Sequence, residues 1–266
     1  MKARADQRLV DAGLARDLTE ARAQILAGTV FISLGSGGER RVEKAGERVP
    51  GDASLRVAGA EHPFVSRGGI KLAHALDQFG VDPRGVIAAD IGVSTGGFTD
   101  CLLMRGALRV HAVDVGYGQI AWKLRNDPRV VLYERTNARH LPLGHFGEPI
   151  DLMVIDVSFV GLSQLLPALI PHLGAGAKII ALVKPQFELP KESVGAGGIV
   201  QDAASRAEAV AAVRRAARAA GWEASAAVES PIRGAEGNVE YLLLLGRSKP
   251  EPAGELLGDD AAGHAE

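Results

Sequence analysis

Two kinds of residue in this chain are suited to chemistry: a glycine-rich turn, and charged side chains that follow apolar runs. The segment DIGVSTGGFT, from Asp90 to Thr99, lies between two apolar runs. This predicts a buried strand, a tight turn and the start of a helix. Asp114 ends the next apolar run, about twenty positions after Gly92, the spacing at which an acidic residue binds nucleotide ribose hydroxyls in βαβ units. The pattern predicts a nucleotide-like cofactor.

Four further charged residues share a predicted location. Asp156 and Lys184 end two later apolar runs, Glu240 begins the last one, and Lys71 follows the segment SRGG. Parallel strands place their carboxyl ends at one edge of a sheet, and an antiparallel last strand brings its first residue to that edge. A charged lysine there needs a partner, and Asp156 and Glu240 are available. Taken alone, Lys184 is also compatible with a structural ion pair.

The elements that position these residues alternate between strands and helices over 64–248, which predicts a Rossmann-like α/β domain with a mainly parallel sheet and an antiparallel last strand. We predict a small α+β domain at residues 1–59, a linker at 60–63 and a disordered tail at 249–266. The predicted strands of the larger domain are 86–90, 109–113, 130–133, 152–156, 179–183, 224–228 and 241–245. Its predicted helices are 70–79, 99–105, 120–125, 162–172 and 203–220.

Composition excludes several classes of protein. No apolar run is long enough to cross a bilayer and the N-terminus has no secretory signal, so we expect no membrane partner and a cytoplasmic location. The single cysteine, Cys101, excludes an intramolecular disulfide and is expected in the core. The net charge is −2, but residues 249–266 hold five acidic residues against one basic, whereas residues 1–60 hold ten basic against eight acidic. This distribution permits nucleic acid binding without requiring it.

The N-terminal segment resembles the S4 RNA-binding module. The resemblance is carried by RADQRLVDAGLA (4–15), ARAQILAGTV (21–30) and VEKAGERV (42–49). It implies that basic side chains contact RNA phosphates, here Arg4, Arg8, Arg16, Arg22 and Arg41. Asp17-Leu18 departs from the Ser-Arg pair that is frequent in the module and removes one positive charge. The alternative is that these arginines form a solvated helical face.

Lys71, Asp156, Lys184 and Glu240 match in order the Lys-Asp-Lys-Glu tetrad of FtsJ-type ribose 2′-O-methyltransferases. SRGGIKL (66–72), STGGFTDCL (94–102), VDVGYGQ (113–119) and ERTNAR (134–139) closely resemble the TlyA family, which joins an S4 module to an FtsJ-like domain. The resemblance implies methylation of cytidine 2′-hydroxyls in ribosomal RNA, as free RNA or ribosomal subunits, with S-adenosyl-L-methionine (AdoMet) as cofactor. It further implies that Lys184 is the general base, which Asp156 orients, and that Glu240 balances Lys71.

The same resemblance assigns the binding residues. The cofactor would be held by Asp90, Gly92, Ser94, Thr95, Gly96, Gly97, Phe98, Asp114 and Asn137. Outside the N-terminal module we expect RNA contacts from Arg67 and, in the basic stretch that follows Trp122, from Lys123 and Arg125. The alternative is that only some of the cations in this stretch face RNA. The seven histidines show no metal-ligand spacing, so no metal is expected. The target nucleotide, the preferred subunit and the oligomeric state are not determined by the sequence.

Three other functions compete with this interpretation. An NAD-dependent oxidoreductase would share Asp114, but Ser94 stands where the dinucleotide pattern needs a glycine. A pseudouridine synthase would explain an S4 module but not the cofactor turn. A non-enzymatic ribosome-binding protein would not need all four tetrad residues. Direct membrane lysis by a haemolysin is not expected, because the sequence shows no secretory signal or amphipathic export segment.

Overall fold

The computed structural model describes residues 2–33, 38–58, 62–234 and 237–247. The tail expected at 249–266 lies outside the described residues, as do positions 60 and 61 of the expected linker. No helix in the described part of the chain is both long and apolar enough to span a membrane.

The N-terminal unit has its own small hydrophobic core. Its buried side chains include Leu9, Ile25, Ile32 and Val49. The elements are β1 (Lys2–Arg4), α1 (Ala5–Asp11), α2 (Leu18–Leu26), β2 (Val30–Ser33), β3 (Glu39–Arg41), β4 (Arg48–Pro50) and β5 (Ser54–Val57). Strands β1 and β4 pair in antiparallel fashion, and β3, β2 and β5 form a second antiparallel sheet. The unit therefore has the mixed character predicted for it.

Helix α2 begins where the sequence departs from the common S4 pattern. The side chain of Asp17 accepts a hydrogen bond of 2.8 Å from the backbone N–H of Glu20. An aspartate at this position satisfies one of the free N–H groups of the first turn and typically stabilises a helix by about 1 kcal/mol. Asp17 is thus a helix cap, which explains an acidic residue in an otherwise basic segment.

The larger unit is built around one sheet. Its strands are β6 (Ile87–Ile91), β7 (Arg109–Val113), β8 (Val130–Tyr133), β9 (Ile150–Ile155), β10 (Leu173–Val183), β11 (Trp222–Ala224), β12 (Val228–Glu229) and β13 (Tyr241–Arg247). Its helices are α3 (Gly68–Phe79), α4 (Gly97–Met104), α5 (Trp122–Arg125), α6 (Leu162–Leu169), α7 (Pro185–Glu188) and α8 (Ala203–Ala219). Short 3₁₀ turns occupy Ala138–His140, Ile170–His172, Lys191–Ser193 and Ala196–Gly198.

The strand order is β11-β13-β10-β9-β6-β7-β8, and β12 also pairs with β13. Strands β6 to β10 are parallel, whereas β13 runs antiparallel to β10 with Ala181 opposite Leu243. Because β6 lies between β7 and β9, the order reverses at β6, and this is where open α/β sheets bind ligands. The predicted fold class, including the antiparallel last strand, is confirmed.

Each face of the sheet is covered by helices. On one face α6 and α8 contribute Leu166 and Val213; on the other α3 and α4 contribute Leu72 and Leu102. Burial of one such side chain stabilises the fold by roughly 1.5–3 kcal/mol. Cys101 is buried in the second of these cores, as expected for a small apolar residue.

Two predicted elements differ from the structure. The strand predicted at 224–228 is interrupted, because Ser225 bonds to the backbone of Leu244 through both its own N–H and its hydroxyl. The helix predicted at 162–172 ends at Leu169 and continues as a 3₁₀ turn that contains Pro171. Pro167 within α6 and Pro171 in the 3₁₀ turn each lack the N–H for a helical hydrogen bond, so this end of the helix is weakened.

Candidate active site

The turn after β6 approaches neighbouring backbone so closely that it needs glycine. Gly92 has φ +88° and Gly96 has φ +95°, values that side chains with a Cβ rarely adopt. A Cβ on Gly92 would also collide with the carbonyl oxygen of Asp156, and one on Gly96 would collide with the side chain of Leu124. Ser94 is held in the same left-handed region, at φ +49°. The turn is therefore a strained cradle with open backbone, as expected where a ligand approaches the main chain.

Asp114 joins this turn to the end of the neighbouring strand. Its carboxylate accepts hydrogen bonds from the backbone N–H of Ser94, at 2.7 Å, and of Gly116, at 2.6 Å. The acidic residue and the glycine turn, separate in sequence, are thus in direct contact at the carboxyl edge of the sheet. This arrangement fits a nucleotide-like cofactor with its ribose near Asp114.

Asp90 lies beneath the turn rather than in the cleft. It is completely buried, and its Oδ2 accepts a 2.7 Å hydrogen bond from the hydroxyl of Thr99. Its Oδ1 has no partner among the described residues. Burial, with a smaller contribution from the negative charges of Asp156 and Asp114, raises the pKa of Asp90 to about 7.

The remaining predicted cofactor residues divide between the cleft and the surface. Thr95, Gly97 and Phe98 line the cleft beside the turn. Asn137 is exposed, and its side chain accepts a 3.0 Å hydrogen bond from the N–H of Arg139, which caps a 3₁₀ turn. Asn137 is near Asp114 only through its neighbour Thr136, whose N–H donates to the Asp114 carbonyl. The structure therefore does not bring Asn137 into the cleft.

The four predicted catalytic residues form two ion pairs. Lys184 Nζ lies 2.6 Å from Asp156 Oδ1, and Lys71 Nζ is paired with Glu240 Oε2. Lys184 Nζ also donates a 3.0 Å hydrogen bond to the hydroxyl of Ser158. The contact with Asp156 does not have hydrogen-bond geometry, so the ammonium is oriented towards Ser158 while it remains beside the carboxylate.

All four of these side chains are largely withdrawn from water. The exposed fraction of the side chain is 12% for Lys184 and 3% for Glu240. Gly234 leaves room for the carboxylate, because a Cβ there would collide with Glu240 Oε1. Buried charges of this kind persist in a fold when they are paired, and removal of one partner leaves the other uncompensated.

Two clefts meet at Lys184. The first, of about 320 Å³, is lined by the glycine turn, Lys71 and Asp156, and also by Gly28 and Arg41 of the N-terminal unit. The second, of about 310 Å³, is lined by Phe159, Phe187 and Glu240. Lys184 and Ser158 line both. The lysine is therefore placed between two compartments that could hold two reactants.

Phe159 is a feature of this site that the sequence analysis missed. Its side chain is 93% exposed, and its backbone has φ +66°, which is strained for an aromatic residue. The ring lies 5.4 Å from that of Phe187 between centroids. Its sequence signal is a large apolar residue immediately after Asp156-Val-Ser, at the mouth of a predicted site. An exposed ring in a strained loop beside Lys184 is suited to stacking against a planar ligand.

The N-terminal arginines are more engaged within the protein than the sequence suggested. Asp6, fully buried, pairs with both Arg4 and Arg22, and Arg4 lowers the pKa of this carboxyl to about 2. Arg8 donates to the carbonyl oxygens of Pro50 and Ala53, at 2.7 and 3.0 Å. Arg8 thus holds the unit together, while Arg4 and Arg22 keep more than half of their side chains exposed.

The other predicted RNA-contacting cations also have partners. Arg16 pairs with Glu20, Arg41 with Glu43, Lys123 with Asp100 and Arg125 with Glu134. Arg67 donates a 3.0 Å hydrogen bond to the carbonyl oxygen of Arg233. Of these residues Arg41 and Arg67 line the first cleft, so they alone are brought to the candidate active site.

The segment that enters the larger unit is attached to the cofactor turn. The backbone N–H of Val65 donates a 2.8 Å hydrogen bond to Asp100 on α4, the helix that follows the turn. Asp100 also pairs with Lys123 at 2.9 Å.

Within the described residues, no group of three or more His, Cys, Asp or Glu side chains is arranged to hold a metal ion.

Comparison with known proteins places the chain in a family. Residues 64–247 match the family model of the FtsJ-like methyltransferases. The chain is 46% identical over 263 residues to a Mycobacterium tuberculosis protein named 16S/23S rRNA (cytidine-2′-O)-methyltransferase TlyA, covering 99% of this chain and 96% of the relative. It is 36% identical over 240 residues to hemolysin A of Brachyspira hyodysenteriae, covering 90% and 98%. A solved structure of a hemolysin candidate from Streptococcus thermophilus superimposes with a TM-score of 0.72 at 38% identity, covering 93% of this chain and 89% of that one.

Proposed function

The chain belongs to the FtsJ-like methyltransferase family, and on that premise we propose that it methylates the ribose 2′-oxygen of cytidine in ribosomal RNA with AdoMet as the methyl donor. The M. tuberculosis relative named for this reaction matches nearly the full chain. Ribosomal RNA as substrate, free or within a ribosomal subunit, puts the proposed reaction in the cytoplasm.

The observation that carries the proposal is the position of Lys184 between two clefts. One cleft contains the glycine cradle of the cofactor turn, and the other contains the exposed ring of Phe159. A methyl transfer needs the donor carbon and the acceptor oxygen in direct contact, with the base beside the acceptor hydroxyl. Lys184 and Ser158 line both clefts, so the lysine lies where the two reactants would meet.

The residues of the first cleft fit AdoMet. The backbone of Gly92, Ser94 and Gly97 lines this cleft and would lie along the methionine side. Asp114 does not itself line the cleft, but its carboxylate bonds to the N–H of Ser94, and from there it would accept hydrogen bonds from the ribose hydroxyls. Asp90 lies below the turn and would act on the cofactor through that turn. When bound, AdoMet supplies an electrophilic methyl carbon on a positively charged sulfur, so the protein need not protonate a leaving group.

Lys184 is proposed to take the proton of the ribose 2′-hydroxyl as its oxygen attacks the methyl carbon. The hydroxyl is a weak nucleophile, so removal of its proton in the transition state is the main chemical task of the protein. Asp156, at 2.6 Å, and Ser158, at 3.0 Å, hold the Lys184 amine in one place. A lysine that acts as a base must first be neutral, so we expect activity to increase with pH.

Lys71 and Glu240 are proposed to act as a second, charge-balanced pair beside the base. Lys71 lines the first cleft and Glu240 the second, so the pair spans the boundary that Lys184 also spans. Its two charges cancel, which leaves the surroundings of Lys184 close to neutral.

The second cleft is proposed to receive the target nucleoside. Stacking of the base on Phe159 would fix the nucleotide after it leaves its own helix, and base–aromatic stacking is worth about 1–3 kcal/mol per base. Phe159 directly follows Ser158, whose hydroxyl accepts a hydrogen bond from Lys184 Nζ. The ring that would stack on the nucleobase and the lysine that would accept the proton therefore lie on two neighbouring loops.

The N-terminal unit is proposed to be an S4 domain that positions the RNA. Its boundaries are proposed at 1–59, with a linker at 60–63 and the methyltransferase domain at 64–248. Arg4, Arg16 and Arg22 present exposed guanidinium groups away from the clefts, whereas Arg41 lies at the first cleft itself. Contacts from such side chains to phosphates give affinity and register rather than sequence specificity.

The direct test is transfer of radiolabelled methyl groups from AdoMet to unmodified ribosomal subunits. Incorporation that maps to a cytidine 2′-oxygen, in either the small or the large subunit, would establish the reaction. AdoMet binding without incorporation into either subunit would instead indicate a different RNA substrate and contradict the proposal.

A further inference from the structure

Two loops flank the second cleft, and each carries part of the proposed machinery. The loop between β9 and α6 contains Ser158 and Phe159. The other runs from Lys184 through the single turn of α7 to Glu188, and the Lys184 carbonyl accepts a 2.9 Å hydrogen bond from the N–H of Phe187. Because α7 is so short, Lys184 and Glu188 lie at opposite ends of one rigid turn.

The loops are joined at the Lys184 end by the contacts already described, from Lys184 Nζ to Asp156 and to Ser158. They are joined again at the opposite end. Glu188 Oε1 accepts a 2.5 Å hydrogen bond from the N–H of Leu162, and Glu188 Oε2 accepts one of 3.0 Å from the hydroxyl of Ser163. The two segments thus form a closed frame with a junction at each end.

The middle of the frame is also tightly packed. A Cβ on Gly161 would lie 3.0 Å from the carbonyl oxygen of Phe187 and 3.1 Å from Glu188 Oε2, so only glycine fits without displacement of one loop. The rings of Phe159 and Phe187 are in contact across the frame, with centroids 5.4 Å apart and planes tilted by 50°. Any movement of Glu188 therefore reaches Phe159 through backbone contacts as well as through the hydrogen bonds.

Helix α6 depends on Glu188 for its N-terminal cap. Its own cap residue, Gly161, has no side chain to bond the free N–H groups of the first turn. Helices usually meet this need with a local Ser, Thr, Asp or Asn. Here the cap comes from a carboxylate 26 positions away in the sequence, which is partly buried. Burial raises the pKa of Glu188, so the fold accepts an unfavourable environment for this group.

We propose that Glu188 is a positioning residue for the transfer: it holds the loop of Ser158 and Phe159 in register with Lys184, so that the base and the stacking ring meet the same nucleoside. This rests on the proposed function, in that Lys184 is taken as the base and the second cleft as the nucleoside site. Glu188 itself lines neither cleft. Its effect is exerted through Leu162 and Lys184.

The test compares Glu188→Ala with Glu188→Gln in methyl transfer to ribosomal subunits and in hydrogen exchange of the backbone. Glu188→Ala should lower kcat and raise the KM for RNA, with kcat/KM reduced roughly 10- to 100-fold, since small misplacements near a reacting centre have effects of this size. AdoMet affinity should be unchanged, because the cofactor turn is not part of the frame. Exchange of peptides that span 158–163 should increase.

Glu188→Gln should recover most of the activity and of the protection, because its amide oxygen can still accept the hydrogen bond from Leu162. Glu192→Ala, which removes an exposed carboxylate from the neighbouring 3₁₀ turn, is the matched control and should equal the wild type. Normal kcat/KM with Glu188→Ala in an active wild-type background would overturn the inference. A wild type without methyl transfer would contradict the proposed function instead, and unchanged exchange at 158–163 would still overturn the role of Glu188.

Discussion

Two groups of buried ionisable side chains lie on this sheet, and they differ in what surrounds them. At the carboxyl edge, Lys71, Asp156, Lys184 and Glu240 border two clefts. On the face covered by α6, His111 bonds to the hydroxyl of Tyr133 and to Glu148, at 3.1 and 2.9 Å, and borders neither cleft. Both groups are polar and withdrawn from water, yet only the first is placed to act on a ligand.

The histidine group is sealed by aromatic rings. The ring of Phe146 lies between 5.1 and 5.4 Å from those of His111, His145 and His172, measured between centroids. Burial lowers the pKa of His111 and of His172, which favours the neutral form of both rings. The comparison indicates that a buried charge pair suggests chemistry when a cleft and strained backbone accompany it. A buried polar group enclosed by rings serves the fold.

The largest expected effect that separates the two groups is that of Lys184→Ala. Removal of the proposed base should reduce methyl transfer roughly 100- to 10,000-fold, the usual contribution of a general base. The melting temperature should also fall, because Asp156 loses its partner, so methyl transfer is compared at a temperature at which both proteins are folded. Methyl transfer to subunits and thermal unfolding are measured beside Lys191→Ala, which removes an exposed lysine. Activity within a few-fold of the control would show that Lys184 is not the base.

Phe159→Ala should have the next largest effect. Loss of one stacked base would raise the KM for RNA about 10-fold or more, without a change in AdoMet affinity. Stability should be retained or increased, because a strained φ of +66° is easier for alanine than for an aromatic residue. Leu143→Ala, at another exposed apolar residue remote from the clefts, is the control. Equal KM values for the two variants would argue against a nucleoside in the second cleft.

Asp90→Asn should weaken the loss of stability that the wild type shows as the pH rises. The folded-state pKa of Asp90 is about 7 against an ordinary value of 3.8, so the folded protein binds the proton more tightly than the unfolded chain. Its contribution to stability is complete below pH 3.8 and is lost as the pH rises towards and through 7. The melting temperature, measured from pH 5 to pH 8, should therefore fall less steeply with pH for the Asn variant. Parallel curves would mean that Asp90 is ionised throughout.

His111→Gln should have the smallest effect on stability, and it should appear as the pH falls rather than as it rises. The pKa of His111 is below its ordinary value of 6.5, so the unfolded chain binds the proton more tightly than the fold does. The stability of the wild type should therefore decrease as the pH falls below 6.5. The variant should show a shallower decrease between pH 6.5 and 5, with methyl transfer unaffected near neutral pH. A large loss of methyl transfer at neutral pH would show that the His111 group also contributes to the reaction.

The same contrast explains what could be predicted from the sequence. Buried parallel strands are continuous apolar runs, so their ends, and the charged residues Asp114, Asp156 and Lys184 that follow them, were located correctly. The topology predicted that they lie at one edge of the sheet, but it left the partner of Lys184 open between Asp156 and Glu240, and the structure pairs it with Asp156. The predictions failed for residues whose roles depend on partners that are distant in the sequence. Arg8 could not be seen as structural, because the carbonyl groups that it binds lie more than forty positions away.

Phe159 and Glu188 were missed for a related reason. An exposed phenylalanine has the same sequence signature as a core phenylalanine, and only its positive φ and the neighbouring cleft distinguish it. Glu188 has the composition of any surface carboxylate, and its role as a cap depends on α6 folding against it. The binding of Asn137 to the cofactor, by contrast, was expected from resemblance, and the structure uses its side chain to cap a 3₁₀ turn rather than to contact the glycine turn, as Asp114 does.

The contact between Gly92 and the carbonyl oxygen of Asp156 has a genetic consequence. Every missense change that one nucleotide substitution can make in a glycine codon introduces a Cβ, and at Gly92 that atom has no space and the backbone has φ +88°. The donor side and the catalytic side of the site would be disturbed together by the same allele. Codon 92 is therefore expected to tolerate only synonymous variation in cells that depend on the modification, and to be a frequent position of inactivating alleles in cells selected for its loss.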